Sequence, residues 1–245
     1  MNNETPEKIE SGMPGKADGK AFKAKVSPAV IKRLPRYFRY LRELIRMDKT
    51  RISSQELSHM MNVTASQIRQ DFNCFGGFGQ QGYGYNVEYL YDNICDILGV
   101  GAGFTAIVIG AGNLGSALVK SPMFEKRGVE VIAMFDNNPA LFGKKIGGVT
   151  VYDIKTIDAF CAANKVDIAV LTLTKEHAPE VAARLRDLGI KGFWNFTGKE
   201  IDPGKKVVVE NVHIGDSLMT LCYAIAKKQA EDEEKLEKHE KNANE

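Results

Sequence analysis

Six consecutive residues constrain the fold of this chain more than any others: Gly110-Ala111-Gly112-Asn113-Leu114-Gly115. A G-x-G-x-x-G run alone is a common turn. Here it follows the apolar run Thr105–Ile109, which predicts a strand, and it opens a helical pattern that reaches Val119. The next predicted strand, Val129–Phe135, ends at an acid, Asp136, about twenty residues beyond the run, as a dinucleotide-binding unit requires. Each residue type then has a physical task. Gly110 permits a tight turn, Gly112 lets the backbone approach a pyrophosphate, and Gly115 lets the helix pack on the strand. Ala111, Asn113 and Leu114 complete the loop. The helix N-terminus offers free N–H groups and the positive end of a dipole. The Asp136 carboxylate suits a ribose diol and repels a 2′-phosphate, and Asn137-Asn138-Pro139 supplies no Arg to neutralise one. The pattern therefore predicts NADH and NAD⁺ as ligands. Lys144 and Lys145 leave a phosphorylated cofactor open, and a ligand-free glycine turn is the bland alternative.

The chain around this run alternates predicted strands and helices. After the short strand Val149–Val151 come a helix near Ile154–Ala163, a strand Asp167–Leu173 and a helix Pro179–Leu188. Strands Gly192–Asn195 and Lys206–Val209 and a last helix near Asp216–Lys228 complete the series. Such alternation predicts an α/β fold with a mostly parallel sheet covered on both faces. The charged tail beyond Ala230 reads as a helix extension or a solvated coil.

The first third of the chain has a different character. The whole 245-residue chain carries a formal charge of only +2. Between Lys20 and Asn73, however, five Lys and seven Arg face four acids, a net of +8 that leaves −6 for the remainder. A polyanion is the natural partner of such a segment. From Pro28 an apolar stripe (Val30, Ile31, Leu34, Tyr37, Phe38, Leu41, Leu44, Ile45) recurs at helical spacing, with Pro35 expected to kink or restart the helix. Arg33, Arg36, Arg39, Arg42 and Arg46 are expected on its other surfaces. Two short helices follow, each opening on a capping-box pattern, Ser53-Ser-Gln-Glu56 and Thr64-Ala-Ser-Gln67. Leu57, Met60 and Met61 supply the apolar face of the first, Ile68 and Phe72 that of the second. Only Asn62-Val63 separates them, as a helix-turn-helix needs. The second helix would then present Thr64, Ser66, Gln67, Arg69 and Gln70 to base edges. The glycine-rich stretch Phe75–Tyr85 suits a tight hairpin, a wing carrying Gln81, Tyr83 and Tyr85, the two tyrosines serving as contacts or as packing. A solvated helical bundle is the alternative. A helix near Val87–Leu98 and the junction Gly99–Gly103 lead into the second module.

Other functions find little support. No apolar run approaches the roughly twenty residues of a membrane span. Residues 1–25 are polar, without the apolar core of a signal peptide, so a cytoplasmic location is expected. Cys74, Cys95, Cys161 and Cys222 are scattered, and His59, His177, His213 and His239 have no ligand spacing; no metal site and no catalytic residue is expected. A dehydrogenase needs an acid/base pair and a substrate domain, for which little chain remains after the strands. A regulator that senses another nucleotide, such as a CoA, is the second rival.

These residues also carry a family resemblance. Arg69-Gln-Asp71, Phe75-Gly76 and Gly79-Gln-Gln-Gly82-Tyr-Gly84-Tyr85-Asn86-Val resemble the recognition helix and wing of the Rex repressors. Arg33-Leu-Pro, the glycine run, Asn195-Phe196 and Val209-Glu-Asn-Val212 follow in the same order, and the likeness spans about Val26–Lys228. The resemblance implies a winged helix-turn-helix (26–100), a Rossmann NAD(H) domain (101–212) and a dimerisation helix (213–230) swapped between subunits; residues 1–25 read as disordered from their composition, and 231–245 are the charged tail. It implies a homodimeric, non-enzymatic repressor that holds palindromic operator DNA with NAD⁺ and leaves it with NADH. It also implies Thr172, on the loop after a central strand, at the nucleotide. Three positions depart from the family pattern. Gln80-Gln81 replaces a basic wing residue, Thr172-Leu-Thr174 replaces Thr-Val-Pro, and His213 stands where some relatives have an Asp that works with an Arg of the first helix. An Arg39–carboxylate switch is therefore not assumed, and His213 would make the response depend on pH.

Overall fold

The computed structural model describes residues 26–74, 79–80 and 83–243, and for 79–80 and 236–243 the backbone only. Segment 1–25, the start of the wing (75–78) and Gln81 lie outside the described residues. The chain forms two compact units that divide at Gly101–Ala102.

The first unit opens with α1, Pro28–Arg46, capped by the Ser27 side chain. Pro35 neither kinks nor restarts it: α1 runs through as one helix. Pro35 is exposed, so the carbonyl that loses its N–H partner can turn to water. The buried stripe is Val30, Leu34, Tyr37, Phe38, Leu41 and Leu44. Ile31, expected within it, is 40% exposed. The short β1 (Arg51–Ile52) leads to α2 (Ser54–Met61). Its capping box forms in full: Ser53 Oγ accepts from the Glu56 N–H (3.0 Å) and Glu56 Oε2 accepts from the Ser53 N–H (2.9 Å). Met60 faces out, and Ser58 takes the buried place with its hydroxyl donating to the Gln55 carbonyl (2.7 Å). Asn62, at φ 51°, turns the chain into α3 (Ala65–Asn73). The second box forms by half. Thr64 Oγ1 accepts from the Gln67 N–H (3.1 Å), but the Gln67 side chain turns to Asp71 instead of reaching back.

The wing strands β2 (Gly79–Gln80) and β3 (Gly84–Asn86) pair antiparallel, and β1 adds to the far side of β3. Gly84 is required there: its φ is +70°, and a Cβ would lie 2.8 Å from the Ile52 carbonyl oxygen. Helix α4, Val87–Leu98, packs Val87, Leu90 and Ile94 into the core beneath α1.

The second unit is a seven-stranded sheet in the order β10-β9-β8-β4-β5-β7-β6. Its strands are β4 (Phe104–Ile109), β5 (Val129–Asp136), β6 (Lys145–Ile146), β7 (Val149–Asp153), β8 (Ile168–Leu171), β9 (Gly192–Asn195) and β10 (Val208–Asn211). All pairs are parallel except β6–β7. The order reverses at β4, which lies between β5 and β8; ligands of open α/β sheets bind at such a switch point. Helices α6 (Ile157–Ala163) and α7 (Ala178–Asp187) cover one face, where Ile107, Phe135, Leu171, Ala182 and Leu185 form the core. On the other face α5 (Asn113–Lys120) and Phe124 pack with Val108, Met134 and Val170. The expected cover on both faces is incomplete at one edge. Ile168, Trp194 and Val208 line an apolar groove there, and Val208 is 76% exposed. The last helix, α8, runs Ile214–Ala243, much longer than the sequence pattern, and the charged tail continues it. Throughout 214–235 its side chains are exposed.

Candidate nucleotide cleft and nucleic-acid interface

The glycine run lies at the C-terminal ends of β4 and β8, where a cleft of about 430 Å³ opens among Gly110, Gly112, Asp136 and Thr172. The three glycines meet three different surroundings. Gly110 has φ +103°, and a Cβ would lie 2.8 Å from the Thr172 carbonyl oxygen. At Gly115 a Cβ would lie 2.0 Å from the Gly110 carbonyl oxygen. Around Gly112 a Cβ would meet nothing within 4 Å. The first two glycines therefore serve the fold, and Gly112 leaves open space before α5. The helix has no side-chain cap at its N-terminus, so its first N–H groups and dipole face that space. This is the cradle that a pyrophosphate fits.

Asp136, at the end of β5, is half-buried and held from both sides. Oδ2 accepts from the Ala111 N–H (2.7 Å) and Oδ1 from the Asn138 N–H (2.9 Å). Each oxygen retains a lone pair for a hydroxyl donor, so a ribose diol fits the carboxylate. Of the expected cleft residues, Ala111 is buried, Leu114 half-buried and Asn113 exposed. Thr172 lines the cleft, but its hydroxyl donates toward the Ile109 and Gly110 carbonyls (3.1 and 2.9 Å), so it ties β8 to the end of β4. Sequence reasoning missed the far wall. His177, the N-cap of α7, and Glu180 and Arg184 within it line that wall, and Arg184 is paired with Asp158 (2.9 Å). No motif marks them, because only the packing of α7 brings them to the cleft.

In the first unit Thr64, Ser66, Arg69 and Gln70 are exposed along α3. Thr64 is the N-cap, and Arg69 donates to Ser54 Oγ (3.0 Å). Gln67 is half-buried, with its amide nitrogen on Asp71 (2.9 Å). Tyr83 is 70% exposed. Tyr85 packs edge-on against Phe72 (5.0 Å between ring centroids), and burial raises the pKa of its hydroxyl. The expected basic surface divides into two sets. Arg39 and Arg46 are exposed, Arg46 in a surface ion pair with Glu43 (3.1 Å), whereas Arg33 is bound to Asp71 and Arg36 to the Met61 carbonyl (2.6 Å).

Asp71 is the centre of this unit and is fully buried. It accepts from Arg33 Nε and Nη2 (both 2.7 Å), Tyr37 Oη (2.8 Å) and Gln67 Nε2 (2.9 Å). Burial alone would raise its pKa, but the bonds from Arg33, Tyr37 and Gln67 outweigh it and hold the carboxyl below its usual value. Burial, and then the hydrogen bond to the Asp71 carboxylate and its charge, push the pKa of the Tyr37 hydroxyl upward. The network bolts α3 to α1. Sequence reasoning took Asp71 as one acid among many bases and as part of the Arg69-Gln-Asp71 motif, and gave it no structural task.

Two family models match these units: "Putative DNA-binding protein N-terminus" over residues 25–73 and "CoA binding domain" over residues 104–198. The redox-sensing transcriptional repressor Rex of Thermoanaerobacter pseudethanolicus is 55% identical over 203 residues, 83% of this chain and 91% of that protein. The chain belongs to the Rex family. Rex of Caldicellulosiruptor saccharolyticus is 50% identical over 89% of this chain and all of its own length. Among solved structures, the Rex-family repressor RSP in complex with β-NAD⁺ and operator DNA superposes with a TM-score of 0.78 at 52% identity, covering 86% of this chain and 97% of that one. RSP in complex with β-NADH gives 0.79 at 48% identity, covering 85% and 98%. The Rex resemblance read from the wing and the glycine run is thereby borne out.

Proposed function

We propose that the protein is a redox-sensing transcriptional repressor that holds operator DNA with NAD⁺ and leaves it when NADH binds. The open cradle at Gly112, facing the uncapped start of α5 beside Asp136, carries the reading for this chain. RSP, about half identical over most of the chain, has been solved with NAD⁺ and operator DNA and with NADH, which supports it further. Gly112 and the first turn of α5 take the pyrophosphate, Asp136 the ribose, and Ala111, Asn113, Leu114 and Thr172 shape the cleft. Ser66, Arg69, Gln70 and Tyr83 meet DNA, with Arg39 and Arg46 as candidate phosphate contacts.

The nicotinamide differs between its two forms by a hydride and one positive charge, a difference that an apolar pocket makes costly to ignore. The protein performs no redox chemistry; it reads the ligand. NADH must bind the arrangement that releases DNA more tightly than the one that holds it, because equal affinity shifts no equilibrium. DNA must then weaken NADH by the same factor. A homodimer matches the two halves of a palindromic operator. Helix α8 suits that assembly: Leu218, Leu221 and Ile225 lie on one stripe and are 50–61% exposed, so a partner subunit is the natural cover. The protein would work in the cytoplasm, beside its DNA; no described helix is long and apolar enough to cross a membrane.

The match to a CoA-binding model favours one rival, a regulator that binds a CoA. Asp136 disfavours a phosphorylated ribose. A mobility shift with a palindromic operator separates the two. NADH should release the wild-type protein and fail to release Asp136→Ala at the same concentration. Release by CoA but not by NADH would overturn the proposal.

A further inference from the structure

The wing carries no positive charge of its own. No Lys or Arg occurs between Arg69 and Lys120, so the hairpin would meet a polyanion with Gln, Gly and Tyr alone. A cation stands on the neighbouring strand. In β1 the side chains alternate, with Ile52 buried and Arg51 exposed. Arg51 lies opposite Asn86 of β3, and its Nη1 donates to the Tyr83 carbonyl (3.2 Å), just before β3 begins. That bond uses one of the five N–H groups of the guanidinium. The edge formed by Nε and Nη2 has no partner among the described residues. Arg33 shows what such an edge suits, because there the same two nitrogens hold the two oxygens of Asp71 (both 2.7 Å). Arg46 and Lys49 are paired with Glu43 and Glu56, whereas the partner of Arg51 is a neutral carbonyl. The corner adjoins the recognition helix. Arg69 of α3 donates to Ser54 Oγ (3.0 Å), three residues beyond Arg51. Arg69 also acts on the wing: burial raises the pKa of the Tyr85 hydroxyl, and the Arg69 charge opposes the rise.

We propose that Arg51 is a DNA-binding residue that supplies the charge the wing lacks: with Nη1 on the Tyr83 carbonyl, it offers its Nε and Nη2 edge to one backbone phosphate in each half-site. This rests on the reading of the first unit as the DNA-binding one. A planar fork of two parallel donors matches two phosphate oxygens, which the single point charge of a Lys does not. The carbonyl bond holds the guanidinium beside the wing before DNA arrives, so less side-chain freedom is lost on binding. Such a contact fixes where the wing lies along the duplex and carries no base preference itself.

The test uses the full-length protein, with affinity for a palindromic operator and for a random duplex read by fluorescence anisotropy at several salt concentrations. Arg51→Gln removes the charge from an exposed position, and its Tm should match that of wild type. It should bind both duplexes about tenfold more weakly at low salt, with a salt slope smaller by about 1 for each bound subunit. A set of operators, each with one phosphate replaced by a neutral methylphosphonate, then locates the contact. At one phosphate per half-site wild type should lose about tenfold, as for one charge-assisted bond, and Arg51→Gln should lose nothing further. If Arg51 only braces the wing, every replacement will cost variant and wild type alike, and the proposal is overturned. A loss confined to duplexes with A·T pairs beside the half-site would mark a groove contact and overturn it too. Equal affinities of wild type and Arg51→Gln, while Arg69→Ala relaxes its base preference, would remove this proposal and leave the recognition helix standing. A wild type that binds no duplex would remove the DNA-binding reading with it.

Discussion

Adding one methyl group at Gly112 and one at Gly115 should produce opposite defects. At Gly115 a Cβ would lie 2.0 Å from the Gly110 carbonyl oxygen and 2.7 Å from Thr172 Oγ1, so the start of α5 must move off β4. Forcing a methyl into packed backbone costs about 1–3 kcal/mol. For a unit of this size that lowers Tm by about 3–10 °C. At Gly112 the same methyl meets nothing within 4 Å, and its φ of −69° and ψ of −168° are open to alanine. Stability should stay within about 0.5 kcal/mol of wild type. The methyl, however, occupies the space proposed for the pyrophosphate and keeps it from the N–H groups of α5. Losing one charge-assisted hydrogen bond there costs about 1.5–3 kcal/mol, or roughly ten- to a hundredfold in NADH affinity. Thermal unfolding of the free protein and calorimetric titration with NADH read the two effects separately. Wild-type NADH affinity in Gly112→Ala, or a Tm loss there equal to that of Gly115→Ala, would refute the reasoning.

Three further outcomes follow from the geometry. Asp71→Asn should destabilise the first unit by about 3 kcal/mol, the low end for breaking a buried ion pair, because the Arg33 side chain keeps 27% exposure. Since folding holds the Asp71 carboxyl below its usual pKa, its stabilisation is complete above the usual carboxylate range and disappears as the pH falls through the folded value. The urea midpoints of wild type and variant should therefore converge below about pH 4. Removing residues 214–245, or changing both Leu218 and Leu221 to Glu, should turn a dimer into a monomer by analytical ultracentrifugation; a monomeric wild type would refute the role given to α8. Arg69→Ala should weaken operator binding and relax specificity at one base pair by about 1–3 kcal/mol, whereas Arg46→Ala should weaken all sequences alike and flatten the salt dependence.

The sequence made some parts of this protein legible and hid others for identifiable reasons. The Ser53 box, the start of α4 and the strand–glycine–helix unit were readable because each is fixed by residues a few positions apart. Met60 and Ser58 exchanged places because a short helix chooses its buried face by what packs against it, and Ser58 satisfies its hydroxyl on Gln55. The two-residue β6 has no periodicity to read. Asp71 had a signal that charge counting concealed. It follows Ile68 by three residues and precedes Phe72, so it lies on the apolar stripe of α3, where an acid needs a partner. That partner, Arg33, is 38 residues away, and only the fold joins them. The α7 wall of the cleft is hidden for the same reason.

The central claim is that the redox state of the nucleotide sets the occupancy of DNA. It is tested most directly by fluorescence anisotropy of a labelled palindromic operator bound to the wild-type protein, at fixed salt and fixed NAD⁺, with NADH added stepwise. The account predicts a fall to the value of the free duplex as NADH fills the cleft, and a weakening of NADH by operator DNA by the same factor. Operator occupancy that stays constant while nicotinamide fluorescence shows the cleft saturated with NADH would contradict it.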